Sequence, residues 1–142
     1  MKVREVMTDH VIRIAPEESA EVAARMLTHY NIGVLPVCDT RGGIYGLVTD
    51  RDLVIRCMAA SRPAEKTAVR DLMTRQVMCA SPDMEVGTAA HLMGRQQVRR
   101  LPVVENGRLC GMISLADLAG REESVMDAAD ALTDITSNLS DR

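Results

Sequence analysis

Aromatic side chains are nearly absent from this chain of 142 residues, which has two Tyr and neither Phe nor Trp. Single-stranded nucleic acids bind largely by stacking their bases on aromatic rings, so this composition argues against them as ligands. Hydrophobic residues nevertheless make up 46% of the chain. Aliphatic side chains, Met and Ala must therefore build the core.

The chain also lacks a surplus of positive charge, because its formal net charge at pH 7 is −3 and no long basic stretch occurs. Domains that bind DNA or RNA usually present a cationic surface to the phosphate backbone. We expect no nucleic-acid partner.

Long apolar runs are missing as well. No stretch approaches the roughly 20 residues of a membrane span. The N-terminus, with Arg4, Glu5 and Asp9, has no signal-peptide core. These absences favour a cytoplasmic protein without a membrane partner.

The four cysteines form no recognisable disulfide or metal pattern. No C-x-x-C pair occurs, and the three histidines show no zinc-ligand spacing to one another or to the cysteines. We interpret the cysteines as reduced thiols, with Cys38 and Cys110 acting as small buried hydrophobes in strands. We expect no metal site, and a thiol or metal sensor is a distant alternative.

The chain does contain an internal repeat. Val3–Thr8 (VREVMT) returns as Val69–Thr74 (VRDLMT), and Leu35-Pro36-Val37 returns as Leu101-Pro102-Val103, both at a shift of 66 residues. Gly46–Leu53 (GLVTDRDL) returns as Gly111–Leu118 (GMISLADL) after a turn that is one residue shorter. The repeat predicts two related halves, 1–60 and 69–119, joined by a linker at 61–68 and followed by a polar amphipathic tail at 120–142.

Within each half, the pattern predicts a short helical turn, a strand, a helix, a two-stranded hairpin and a second helix. Small apolar residues recur at helical spacing in the first helix of both halves. They are Ala20, Ala23, Ala24 and Leu27, matched by Val86, Ala89, Ala90 and Met93. The fold class is therefore α/β (α+β), and the tail helix would either dock on its own domain or cover a partner.

A hydroxyl residue followed by Asp three positions later marks the start of each second helix, as Thr49 with Asp52 and Ser114 with Asp117. A capping box explains such a pair and is worth about 1 kcal/mol of helix stability. The functional alternative is a ligand site, because a helix N-terminus attracts phosphate and an Asp there can accept from both ribose hydroxyls. Two matched copies favour ligand binding by at least one.

The order of these blocks over residues 1–119 resembles the cystathionine β-synthase (CBS) domain family, and within it the stand-alone bacterial two-CBS proteins that include hypoxic-response proteins. In that family two repeats, each a small sheet flanked by two helices, pack with pseudo-twofold symmetry into a Bateman module. The resemblance implies that clefts between the repeats bind AMP, ADP or ATP, with S-adenosylmethionine and NAD as further candidates. It also implies a regulatory homodimer, with an unidentified protein partner as an additional expectation.

The resemblance assigns roles to particular residues. Thr49 and Ser114 would face phosphate or ribose, and Asp52 and Asp117 would face ribose. Arg99 and Arg100 would reach the phosphate of a ligand held at Thr49 and Asp52, whereas the first half has Gly33 and Val34 at the matching positions. The adenine would lie between apolar side chains that fit a core role equally well: Ile12, Val34, Pro36, Met78 and Pro102.

No order of Ser, His and Asp or of Cys and His indicates a catalytic group, so we expect no enzyme. The rival to a nucleotide sensor is a scaffold that dimerises and docks another protein without binding a ligand.

Overall fold

The computed structural model describes residues 1–140 and the side chains of residues 1–137. Residues 141 and 142 of the predicted tail lie outside the described residues. The helices are α1 (Ala20–Tyr30), α2 (Asp50–Asp52, continued by a π-helical segment, Leu53–Met58), α3 (Val86–Gln96), α4 (Leu115–Ala119) and α5 (Val125–Ser140). The strands are β1 (Val34–Cys38), β2 (Ile44–Thr49), β3 (Arg100–Glu105) and β4 (Arg108–Ser114). The predicted class of mixed helix and strand is confirmed.

The chain folds into two compact units, and neither unit coincides with one of the two repeats. One contains residues 12–77, and the other combines residues 1–11 with the chain from Met78 onward. The opening segment of each half, Val3–Thr8 or Val69–Thr74, therefore lies in the same unit as the hairpin of the other half. The boundaries predicted at 60, 68 and 119 describe the order of the blocks along the chain, and they stay predictions.

Backbone pairing places each opening segment at the edge of a hairpin. Thr74 exchanges hydrogen bonds of 2.8 and 3.0 Å with Leu47 of β2. In the other unit, Thr8 exchanges bonds of 2.8 and 2.9 Å with Met112 of β4. Each hairpin thus gains a third, short antiparallel neighbour, which satisfies edge groups that an isolated two-stranded ribbon leaves open.

The repeated glycines of β2 and β4 explain how the opening segments come so close. A Cβ at Gly46 would collide with the carbonyl oxygen of Thr74. At Gly111 it would lie 2.9 Å from the carbonyl oxygen of Thr8 and 2.7 Å from the sulfur of Met7. Real Cβ atoms do not approach backbone oxygens this closely, so the pairing of each opening segment requires glycine.

The strand predicted before the first helix of each half is not formed; one residue of that segment makes a parallel bridge on the outer side of β1 or β3. Ile14 pairs with Val37, and Ala80 pairs with Val103. All four of these side chains are buried. Each hairpin is therefore extended by one backbone bridge on either side. The second helix of each half starts at the end of a paired strand, β2 or β4.

The small-residue stripes of α1 and α3 differ in burial. All four predicted residues of α3 are buried, but in α1 the prediction was wrong for Ala24, which is exposed. Its counterpart Ala90 is 1% exposed because α5 packs against α3. Of the two roles left open for the tail helix, docking on its own unit is the one observed.

Two further small residues let α5 approach α3. A Cβ at Gly94 would lie 3.4 Å from Cα of Ala131, and one at Gly87 would lie 3.5 Å from a carboxylate oxygen of Asp127. The matching positions of α1 are Glu21 and Thr28, which would hold a helix at a greater distance. The glycines of α3 therefore mark the surface on which α5 lies.

We expect Ala90→Gln to lower the free energy of unfolding by about 2 kcal/mol, since a longer side chain must displace α5. Ala24→Gln is the matched control: it makes the same change on an exposed helix face and should stay within about 0.5 kcal/mol of wild type. Urea denaturation of both variants measures the difference. Equal stabilities would contradict the packing of α5 on this face.

Among residues 1–140, no helix is long and apolar enough to cross a membrane.

Candidate functional site

The two hydroxyl and Asp pairs have the same geometry in both units. The Thr49 hydroxyl accepts from the backbone N–H of Asp52 at 3.1 Å, and the Asp52 carboxylate accepts from the N–H of Thr49 at 2.9 Å. Ser114 and Asp117 repeat these two bonds at 3.1 and 2.9 Å. Both pairs are therefore complete capping boxes, and all four side chains keep part of their surface exposed.

The capping bonds occupy several of the N–H groups that an anion would use. In the first box, Arg51 also donates its N–H to its neighbour Asp50 at 2.9 Å. In the second box, Leu115 donates its N–H to the carbonyl oxygen of Arg99 at 2.8 Å. A phosphate at either helix start would compete with these acceptors, so the carboxylates and hydroxyls are better placed than the amides to recognise a ligand.

An arginine distinguishes the first box from the second. Nε of Arg56 lies 3.9 Å from the second carboxylate oxygen of Asp52. Arg121, at the corresponding position of the other half, follows the end of α4 and makes no ion pair with Asp117 in the part of the chain that the structure describes. Sequence reasoning missed Arg56, although its spacing of four residues from Asp52 was a usable signal.

The arginines predicted to contact phosphate lie beside the second box in their own unit. Arg100 begins β3 and pairs in register with Ser114, and the carbonyl of Arg99 accepts from Leu115. Both side chains are exposed. Val34 pairs with Thr49 in the same way in the other unit. Each box therefore has the first residue of its own hairpin next to it, an arginine in one unit and a valine in the other.

The residues predicted to flank an adenine divide into two groups. Pro36 and Pro102 are buried in β1 and β3, where their carbonyls accept from Ile14 and Ala80 at 3.0 and 2.9 Å. Ile12 and Val34 are half-buried, and Met78 is 48% exposed. The prolines thus have a core role whatever else they do, whereas the other three offer apolar surface to a ligand.

Within residues 1–140, no disulfide joins the cysteines, and Cys38 in β1 is 3% exposed. Burial raises the pKa of the Cys38 thiol, and it does the same for Cys79 and Cys110. Among the described residues, no cluster of three or more His, Cys, Asp or Glu side chains could hold a metal ion.

Because the thiolate is the reactive form, we expect Cys38 to react with Ellman's reagent at pH 7 at least about tenfold more slowly than a free thiol. All four thiols should react at once in concentrated urea. Mass spectrometry of the labelled peptides identifies which thiols react. Rapid labelling of Cys38 in the folded chain would show that β1 opens easily and would support the alternative function as a thiol sensor.

A sequence profile described as the CBS domain matches residues 3–58 and again residues 69–123. The two matches span most of the chain, one in each half. The chain belongs to the CBS domain family. The resemblance seen in the repeated blocks is confirmed.

CBS relatives span nearly the whole chain. CBS domain-containing protein YhcV of Bacillus subtilis is 34% identical over 134 residues, which cover 94% of each chain. Hypoxic response protein 1 of Mycobacterium tuberculosis is 29% identical over 116 residues, which cover 82% of this chain and 81% of that protein.

Solved CBS structures share the fold. A crystal structure of hypoxic response protein I with two coordinated zinc ions has a TM-score of 0.78 at 28% identity and covers 84% of this chain and 98% of that one. The CBS domain pair of protein MJ0100, in complex with 5′-methylthioadenosine and S-adenosyl-L-methionine, has a TM-score of 0.73 at 26% identity, covering 84% of this chain and 94% of that one. Adenosyl ligands therefore bind a CBS pair of the same fold.

Proposed function

We propose that this CBS pair is a regulatory module without catalytic activity that binds an adenine nucleotide, AMP, ADP or ATP, or a related adenosyl ligand. The observation on which this rests is the pair of matched boxes, Thr49 with Asp52 and Ser114 with Asp117. The complex of MJ0100 with two adenosyl ligands supports the ligand class.

In this proposal the Asp carboxylates recognise the ribose. One oxygen of Asp52 accepts the N–H of Thr49, which fixes the carboxylate. The second oxygen, which lies 3.9 Å from Nε of Arg56, would accept from a vicinal diol. A carboxylate with two acceptor oxygens suits the paired hydroxyls of a ribose. The Thr49 hydroxyl accepts from Asp52 and still has a proton to donate to a ligand oxygen.

We propose that the site at Thr49 and Asp52 binds more tightly than the site at Ser114 and Asp117. Arg56 lies near Asp52 in the same unit and adds a cation there. The family resemblance assigns Arg99 and Arg100 to the phosphate of the same ligand, and this assignment is a proposal from sequence. Because both arginines lie beside Ser114, the second box is the competing site for their contacts. The ligand affinity of both sites should therefore be measured in Arg100→Ala.

Ligand binding would act by population shift. A ligand that binds one arrangement of the module better than another favours that arrangement by its difference in affinity. A protein partner that recognises the favoured arrangement would then respond to the nucleotide concentration.

Thermal unfolding with AMP, ADP, ATP, S-adenosylmethionine and NAD tests the proposal. A ligand at 100 times its dissociation constant stabilises the folded chain by about 2.7 kcal/mol, which raises the melting temperature by several degrees. We expect at least one adenosyl ligand to do so, with guanosine monophosphate as the control. No shift with any of the five would contradict nucleotide binding.

A ligand-independent scaffold is the second candidate, and one surface favours an association between copies. Val54, Ile55 and Met58 of the π-helical segment are 51, 47 and 73% exposed. Adjacent exposed apolar side chains are typical of interaction surfaces. We propose a homodimer, and sedimentation of the wild type beside Met58→Glu tests it. A scaffold without a ligand role would dimerise yet show no thermal shift with any adenosyl compound.

A further inference from the structure

An open depression of about 500 Å³ lies in the unit formed by residues 12–77. Its walls come from the π-helical segment after α2, the second opening segment and the residues that follow it. The side chains that matter here are Arg56, Arg70, Asp71, Thr74, Arg75 and Gln76. A cavity of this volume accommodates a small organic or inorganic ligand.

Two of the three guanidinium groups are held in place by backbone carbonyls. Nη1 of Arg56 donates to the carbonyls of Leu72 and Met73 at 3.1 and 3.0 Å. Nη2 of Arg75 donates to the carbonyl of Arg70 at 3.2 Å. Because a guanidinium has five N–H donors, both groups keep donors for a ligand. Their fixed positions reduce the conformational entropy that binding would otherwise cost.

Carboxylates do not balance these cations. Asp71 is the acidic residue of the depression, and its carboxylate lies 3.7 Å from Arg62. Asp52 lies 3.9 Å from Arg56. Within residues 1–140, neither Arg70 nor Arg75 has a carboxylate within 4 Å. The depression therefore has excess positive charge in a chain whose net charge is −3.

The corresponding positions of the other half lack this excess. Arg4, which matches Arg70, forms an ion pair with Asp83 at 2.5 Å, and Asp9 stands where the first unit has Arg75. Both opening segments pair with their hairpins in the same way. The fold therefore does not require the unpaired arginines, and a ligand is a better explanation for them.

We propose that this depression binds a small molecule with two or more linked phosphoryl groups. Arginine forks match phosphate oxygens geometrically, and three guanidiniums supply more donors than one phosphoryl group uses. The Thr74 hydroxyl and the Gln76 amide add neutral donors. The site goes beyond the proposed nucleotide function because neither capping box lines it. Arg56, which also lies near Asp52, is the residue that both proposals use.

Calorimetric titration of the full chain with inorganic pyrophosphate tests this site. The double variant Arg70→Gln/Arg75→Gln should bind at least about tenfold more weakly, since both charge-assisted contacts are lost. Arg41→Gln makes one such substitution in an exposed turn of the same unit and should bind like wild type. No binding by the wild type, or an equal affinity of the double variant, would overturn the proposal. A melting curve of each variant confirms that it is folded.

A parallel titration with AMP separates this proposal from the nucleotide function. Pyrophosphate binding that depends on Arg70 and Arg75 supports the site even if AMP does not bind. AMP binding without pyrophosphate binding would overturn the site and leave the nucleotide function intact. Pyrophosphate binding that is lost in Arg99→Gln/Arg100→Gln and kept in Arg70→Gln/Arg75→Gln would place the anion outside the depression. That result would also overturn the proposed site.

Discussion

Replacement of Gly46 by alanine should destabilise the protein by about 3 kcal/mol, at the upper end of the cost of an added methyl group in a packed interior. The new Cβ would collide with the backbone carbonyl of Thr74, and a carbonyl in a paired strand cannot rotate away as a side chain can. The hydrogen bonds between Leu47 and Thr74 would have to lengthen or break.

Gly33→Ala is the matched control in the same unit. A Cβ at Gly33 has no heavy atom within 4 Å, so the change should stay within about 0.5 kcal/mol. Chemical denaturation measures both variants, and hydrogen exchange at Leu47 and Thr74 locates the damage. If Gly46→Ala were as stable as Gly33→Ala, the second opening segment would not lie on β2 as described.

Replacement of Asp52 by alanine should weaken adenosyl binding by at least about 100-fold, because the ribose would lose a charged acceptor for two hydroxyls. Asp117→Ala should retain the tighter binding event, because it alters the other box. Each variant removes one half of an equivalent capping box, with bonds of 2.9 Å to Thr49 or Ser114. The cost in helix stability is therefore matched between them.

A ligand without ribose hydroxyls sharpens this comparison. If Asp52 recognises the diol, 2′,3′-dideoxy-AMP should bind wild type and Asp52→Ala with similar affinity, whereas AMP should distinguish them. This cycle of one protein mutation and one ligand change works like a double-mutant cycle and isolates the interaction between the carboxylate and the hydroxyls. An Asp52→Ala variant that loses AMP and the dideoxy analogue equally would have lost binding through helix fraying, which would contradict direct recognition.

Sequence patterns predicted the elements of this fold better than their partners. The hairpins and capping boxes follow from local signals such as β-prone triplets, turn glycines and helix-start residues. The exchange of the opening segments does not, because VREVMT and VRDLMT resemble each other closely and either could pair with either hairpin. Pairing between distant segments is decided by tertiary packing.

The candidate site was predicted in the same uneven way. Thr49, Asp52, Ser114 and Asp117 were identified because the repeat displays them twice. Ala24 was expected to be buried because of its helical spacing from Ala20, yet it is exposed, whereas its counterpart Ala90 is buried on the helix that α5 packs against. An internal repeat cannot predict which residues a nonrepeated element such as α5 will bury.

A crystal structure of the full chain grown with AMP would show directly whether the Asp52 carboxylate binds the ribose. We expect both ribose hydroxyls to lie within hydrogen-bonding distance of the Asp52 carboxylate, about 2.5–3.0 Å, and the Thr49 hydroxyl to donate to a ligand oxygen. An AMP molecule bound away from both boxes, with no contact to either Asp carboxylate, would contradict recognition of the ribose by Asp52.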